Sequence, residues 1–165
     1  MKLIASSKLF NLRFSPKNFP PPVANRYIGS RTHPIRPKIL HMYENRDPRS
    51  LWWYLSNQRT MPYTKVVRSW CMRRTREAFR QALRERGFNA DGRRIATDPR
   101  GTGTPVDGYD YLQGSVELSI SPEIVRESYA TVKAEMDSIV DGMLQNWHTE
   151  WTKAMVKSQS IRGHS

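Results

Sequence analysis

The strongest hydrophobic pattern in the chain lies in its last third. Apolar side chains recur there at spacings of 4, 3, 4, 3 and 4 residues, which is the rhythm of a helix that packs along its length against another helix. These positions are Val125, Tyr129, Val132, Met136, Ile139 and Met143. Because Ser121 and Pro122 supply a cap and a first helical residue, the pattern predicts one long helix over residues 122–157.

A second helix is predicted between Thr64 and Gly87, where the glycine marks the C-terminal end. Projected at 100° per residue, one side of this helix collects apolar residues and the opposite side collects cations. The apolar side holds Val67, Trp70, Cys71, Ala78 and Ala82, and the cationic side holds Lys65, Arg73, Arg76, Arg80 and Arg84. The helix is therefore expected to pack through one face and to present the other to an anionic partner.

Weaker patterns predict the remaining elements. Asp47 and Pro48 form a helix start and predict a short helix over residues 48–57. Apolar and polar residues alternate towards Ile120 and predict a strand or hairpin arm over 109–120. Residues 87–108 hold five glycines and two prolines, so they are expected to be mostly loop.

The first 43 residues differ from the rest in composition, because eight basic residues and no acidic one precede Glu44. Six prolines fall in the same stretch, and proline removes the backbone donor that helices and sheets need. The composition predicts a basic extended tail over 1–43 that orders only on a partner, followed by a single small α-rich domain over 44–165. The expected fold class is mainly α: the tail, a short helix, a basic amphipathic helix, a loop with a short strand or hairpin, and a long C-terminal helix.

The net charge of +12 is concentrated in the first hundred residues, which carry 22 basic and 6 acidic side chains. A polyanion is therefore expected to meet this half. The helix lacks Asn or Gln at the spacing of its cations, so phosphate contact is expected without base reading. The predicted RNA contacts are Lys65, Arg68, Arg73, Arg76, Arg80 and Arg84 on the helix and Arg31, Arg36 and Lys38 in the tail. The sequence leaves open whether the polyanion is RNA or anionic lipid.

Motifs for catalysis, cofactors or metals are not found in the sequence. The chain has one cysteine and four widely separated histidines, which excludes the usual zinc spacings. No catalytic signature or dinucleotide fingerprint is present, and no apolar run approaches the length of a membrane span. The sequence predicts a protein that is not an enzyme and that has no cofactor, no small-molecule substrate and no transmembrane segment.

Taken together, these features resemble the style of mitochondrial ribosomal proteins over about the first 100 residues. The resemblance rests on the acid-free, proline-rich start, the modest core and the basic run from Arg73-Arg74-Thr75-Arg76 to Arg84-Glu85-Arg86. It implies a structural constituent of the ribosome in the mitochondrial matrix, a ribonucleoprotein of translation that contacts ribosomal RNA and neighbouring ribosomal proteins. A basic, acid-free, serine-bearing start is also typical of a mitochondrial targeting segment.

The long helix is expected to supply the protein contacts. It exceeds the 64–86 helix in length, so the end of its apolar stripe is predicted to dock on another protein through Met143, Trp147 and Trp151. The alternative function uses the same element. In that interpretation, the chain is an accessory or assembly subunit of a mitochondrial membrane complex of the respiratory-chain type.

Overall fold

A computed structural model describes residues 1–95 and 111–162, with the backbone alone for residues 151 and 153–162. Its strands are β1 (Lys2–Ser6), β2 (Phe10–Ser15), β3 (Leu51–Ser56) and β4 (Gly114–Ile120). Its α-helices are α1 (Pro22–Ile28), α2 (Arg36–Glu44), α3 (Lys65–Glu85) and α4 (Tyr129–Arg162). Short 3-10 turns cover Gln58–Thr60 and Pro122–Val125.

The strands form one mixed sheet in the order β1-β2-β4-β3. β1 pairs with β2 and β2 with β4 in antiparallel fashion, whereas β3 runs parallel to β4. A parallel pair needs a crossover connection, and α3 lies within the one between β3 and β4. The apolar residues of the central pair face each other across the ladder: Phe10 with Ile120, Leu12 with Leu118, and Phe14 with Val116.

Helices α3 and α4 cover one face of this sheet. Trp53 on β3 packs against Phe79 of α3, with ring centroids 4.8 Å apart, and α4 contacts α3, β1 and β2. Successive residues of a strand point to opposite faces, so the neighbouring Trp52 points away from α3. Its ring lies 5.7 Å from that of Tyr43 on α2, which places α2 on the other side of the sheet.

The prediction of a mainly α fold is therefore wrong, because the chain is an α/β protein. The expected extended tail over 1–43 is also wrong, because this segment contains the strands β1 and β2 and the helices α1 and α2, of which α2 ends at Glu44. Leu9, Phe10 and Leu12 of this segment are fully buried in the core. The alternation in Phe10–Ser15 is a period-2 strand signal, but the acid-free composition directed the prediction towards a tail.

The short helix expected over residues 48–57 is a strand, β3, paired in parallel with β4. Asp47 does not cap a helix there. Its carboxylate accepts a hydrogen bond from the Arg49 amide at 2.8 Å, and its carbonyl accepts one from the Ser50 hydroxyl at 2.7 Å. These bonds close a turn. The apolar run Leu51–Leu55 follows it and pairs in the sheet with the buried strand β4.

The helix predicted after Thr64 and the strand predicted before Ile120 are confirmed, whereas the predicted long helix starts later than expected. α3 follows Thr64, whose hydroxyl accepts from the Val67 amide, and Gly87 after it has φ of 81°. β4 lies within the predicted 109–120 segment. The predicted long helix is split: a 3-10 turn begins at Pro122, and α4 itself starts at Tyr129. The expected loop over 87–108 extends beyond residue 95, and that part lies outside the described residues.

The position of β2 at the centre of the sheet makes a direct prediction for stability. Leu12→Ala should lower the free energy of unfolding by about 2–5 kcal/mol, because it removes a fully buried side chain and leaves a cavity. Leu3→Ala is the matched control in the same hairpin, since Leu3 is 53% exposed, and it should change stability by less than about 0.5 kcal/mol. Urea unfolding measures both, and equal effects would contradict the placement of β2 in the core.

Candidate nucleic-acid interface

Helix α3 has a buried face and a cationic face, as the sequence predicted. One residue that was predicted to lie on the buried face is exposed. The face in the core is formed by Cys71, Thr75, Ala78, Phe79, Ala82 and Leu83. Trp70, which the periodicity assigned to the packing side, is 41% exposed. The guanidinium of Arg74 lies 4.3 Å from its ring centroid, so a cation covers an indole that lies at the edge of the cationic surface.

Two arginines, Arg74 in α3 and Arg86 directly after it, make their polar contacts within the chain. Arg86 forms salt bridges with Asp137 at 3.1 Å and with Asp141 at 2.6 Å, and it also donates to the Asp137 carbonyl at 3.0 Å. The hydrogen bond from Arg86 holds the pKa of the Asp141 carboxyl below its usual value. Arg74 donates to the Glu127 carbonyl at 2.9 Å. The Arg86 contacts hold the end of α3 against α4, and the Arg74 contact holds α3 against the segment that precedes α4.

The remaining cations of α3 have no such neutralisation. They are Lys65, Arg68, Arg73, Arg76, Arg80 and Arg84, and within residues 1–95 and 111–162 none of them forms a salt bridge. Arg68 and Arg76 are half-buried and the other four are exposed. All six RNA contacts predicted on this helix thus belong to the set that forms no salt bridge in the described part of the chain.

The densest part of this surface is concave. An open groove of about 500 Å³ lies beside the N-terminal half of α3, next to the residue that follows β3. Its polar lining consists of Asn57, Lys65, Arg68, Ser69, Arg73 and Arg76. No carboxylate is among the described residues that line it, whereas a second groove further along the helix mixes Arg80 and Arg84 with Glu77 and Glu85. The electrostatic attraction for an anion is therefore strongest near the start of α3.

The three predicted contacts in the N-terminal region lie elsewhere. Arg31 and Lys38 are exposed, and Arg36 donates through Nε to the Ile28 carbonyl at 3.0 Å. They belong to the α1–α2 segment, which packs on Trp52 and so lies across the sheet from α3. The structure does not bring the two predicted sets together: it presents two cationic surfaces on opposite sides of the molecule.

The predicted protein-docking surface on α4 is wrong for Met143 and Trp147, because both belong to the core of the chain. They are 2% and 7% exposed, and the Trp147 indole donates to the Gln113 carbonyl at 3.2 Å. The prediction considered only α3 as a cover for the stripe, but β1 and β2 also pack on α4. The side chain of Trp151 lies outside the described residues.

The described residues offer little reactive chemistry. Burial raises the pKa of the Cys71 thiol, which disfavours the nucleophilic thiolate. Among residues 1–95 and 111–162, no three His, Cys, Asp or Glu side chains are grouped so that they could hold a metal ion. In the same part of the chain, no helix has the length and apolarity to cross a bilayer.

Comparisons with known proteins do not place the chain in a family. No family model, curated protein or solved structure matches it. The function of the α3 surface is therefore argued from its own geometry and charge. Its leading features are six cations without a salt bridge among the described residues and a groove lined by four of them.

The Arg86 contacts predict how stability depends on pH. The folded state lowers the pKa of Asp141, so the stabilisation is present above the unfolded pKa and is lost as pH falls through the folded one. Asp141→Asn should therefore lower stability at pH 7, by less than about 1 kcal/mol because Asp141 is 56% exposed, and the difference should vanish near pH 2. Urea unfolding across this range measures it, with Glu44→Gln on the exposed end of α2 as control. A difference that grows on acidification would have the wrong sign.

Proposed function

We propose that this chain is a structural RNA-binding component of the mitochondrial ribosome that contacts ribosomal RNA phosphates through the cationic face of α3. The proposal rests on the difference between the cations of this helix that have partners within the chain and those that form no salt bridge. Arg74 and Arg86 already make hydrogen bonds or salt bridges within the chain. Six other cations of α3 form no salt bridge among the described residues: Lys65, Arg68, Arg73, Arg76, Arg80 and Arg84.

Such a surface suits a phosphate backbone. Each phosphate that a Lys or Arg side chain neutralises releases condensed counterions, which favours binding independently of base sequence. α3 spans 21 residues, or roughly 30 Å at 1.5 Å per residue, so its cations can follow several consecutive phosphates. Contacts of this type fix the position of a protein on RNA and carry no sequence information.

A second cationic surface supports a structural role. Arg31, Arg36 and Lys38 lie across the sheet from α3, so one RNA segment on α3 leaves them free to contact another. A protein with cations on two opposite sides is suited to fill the space between RNA segments. Neighbouring ribosomal proteins are the other proposed contacts, and Met143 and Trp147, which are buried in the core, are not part of the surface that would bind them.

The proposed location is the mitochondrial matrix, which rests on the acid-free basic composition of the N-terminal region. The sheet adds a constraint to this proposal. Phe10, Leu12 and Phe14 are core residues of β2, so cleavage after residue 15 would remove two of the four strands described. We therefore propose that residues 2–15 stay in the folded protein even if they also direct import.

The alternative of an accessory subunit of a membrane complex loses its main support. It relied on the apolar stripe of α4 as the docking element, and Met143 and Trp147 of that stripe are buried in the core. Anionic lipid as the polyanion would favour a flat basic surface that can lie on a bilayer, and the exposed Val66 and Trp70 of α3 could serve it as apolar anchors. The concave, cation-lined groove on α3 favours RNA phosphates instead.

The first test is salt-dependent binding to duplex RNA. With about five phosphate contacts, log affinity should fall against log salt with a slope of roughly −4 to −5, at about 0.9 per phosphate. Arg73→Gln, at an exposed residue of the groove that has no described carboxylate, should make the slope shallower by about 1, and it should weaken binding equally for unrelated sequences. The control is Arg126→Gln, which removes an exposed arginine that shares its groove with Glu123 and Glu127. Fluorescence anisotropy measures all three proteins, and equal effects of the two variants would contradict a specific role for α3.

The second test concerns the cellular assembly. The intact tagged chain should co-sediment with mitochondrial ribosomal particles, and the combined variant Arg73→Gln, Arg80→Gln and Arg84→Gln should shift it towards the free fractions. Because these three side chains are exposed, the variant should remain folded, which circular dichroism checks. Recovery in detergent-solubilised respiratory complexes and not in ribosomal particles would favour the alternative function.

A further inference from the structure

One side chain in the α3 groove is in an unfavourable environment. Arg68 is half-buried, and its Nε atom is buried without a hydrogen-bond partner in the part of the chain that the structure describes. Its Nη1 atom donates to the thioether sulfur of Met61 at 2.9 Å. A thioether is a weak acceptor, so this contact does little for a guanidinium that has lost part of its hydration.

The cost of this arrangement is clear from a comparison with Arg86. Arg86 is also half-buried, yet two carboxylates and two backbone carbonyls accept its hydrogen bonds. Arg68 instead lines a groove with three further cations and no described carboxylate. A partly desolvated charge without an opposite charge destabilises the folded state, and the like charges of Lys65 and Arg73 add to the cost.

We infer that this groove is a phosphate-binding pocket with Arg68 as its anchor, and that a phosphodiester of RNA occupies it, which rests on the proposed function. The planar guanidinium offers a fork of donors that matches phosphate oxygens, and no described residue accepts a hydrogen bond from its Nε atom. Asn57 and Ser69 line the same groove and can donate to further oxygens. A volume of about 500 Å³ leaves room for the sugars on both sides of a backbone phosphate.

A specific pocket and a general electrostatic attraction to α3 predict different effects for two substitutions that each remove one positive charge. If only the net charge of α3 mattered, removing one charge at Arg68 or at Arg84 would weaken RNA binding equally. A pocket makes Arg68 the more important residue, because its contact is directional and partly buried. It also predicts that Arg68 stabilises the complex while destabilising the free protein, as is common for preorganised functional groups.

The test compares Arg68→Gln, Arg68→Lys and the exposed control Arg84→Gln in the full chain. Binding to duplex RNA at fixed salt should weaken about 10-fold or more for Arg68→Gln, as expected for loss of a charge-assisted bidentate contact. It should weaken less than about fivefold for Arg84→Gln. Arg68→Lys keeps the charge but loses the fork, so it should bind more weakly than the wild type and more tightly than Arg68→Gln.

Thermal unfolding supplies a second measurement with a different ligand. Inorganic phosphate, compared with chloride at equal ionic strength, should raise the Tm of the wild type and of Arg84→Gln but not that of Arg68→Gln. Without phosphate, Arg68→Gln should melt at the same temperature as the wild type or higher. A clear fall in its Tm would show that Arg68 is a structural residue and would overturn the inference.

The outcomes also separate the pocket from the proposed function. If RNA binds with the expected salt dependence but Arg68→Gln and Arg84→Gln lose affinity equally, the pocket is wrong and the RNA-binding proposal stands. If inorganic phosphate stabilises the wild type through Arg68 but duplex RNA does not bind, the pocket serves a phosphate from another source and the RNA proposal is wrong. If neither ligand binds, both are wrong.

Discussion

The pairing of β2 with β4 is the interaction on which the rest of the structure depends. It joins residues 10–15 to residues 115–120 and sets six apolar side chains side by side on one face of the sheet. They are Phe10, Leu12, Phe14, Val116, Leu118 and Ile120. This surface gives α3 and α4 a common place to pack, and burial of the apolar face of α3 determines which of its residues face outwards. The cationic surface is thus a consequence of the sheet as much as of the helix.

Charge is divided between α3 and α4 in a way that serves both stability and binding. α4 contributes Asp137 and Asp141, which accept the Arg86 guanidinium, and Lys133, which contacts Glu85 at 2.6 Å. Carboxylates therefore lie where the two helices meet, and none is among the described residues that line the groove of Arg68. The free protein carries electrostatic repulsion on α3 that an anionic partner would relieve, and in our account that partner is the RNA backbone.

The sequence was informative where a signal was local, and it failed where a signal depended on distant partners. The helix between Thr64 and Gly87 has a cap, a stop and a two-sided pattern, and α3 follows all three. The run Leu51–Leu55 fits a buried helix or a buried strand equally well, and only β4, some 60 residues away, makes it a strand. Because the sequence did not predict the sheet, Met143 and Trp147 were assigned to a partner protein and not to the core. The unsatisfied Nε of Arg68 depends on packing and has no sequence signal.

The most direct test of the central claim is ultraviolet crosslinking of the intact, assembled protein, followed by mass spectrometry of nucleotide-modified peptides. The account predicts nucleotide adducts concentrated within residues 65–84, with further adducts between residues 31 and 38 on the opposite surface. Adducts confined to α4, where the carboxylates Asp137 and Asp141 lie, would contradict it. So would an assembled protein whose crosslinks from α3 lead only to other proteins and to no nucleotide.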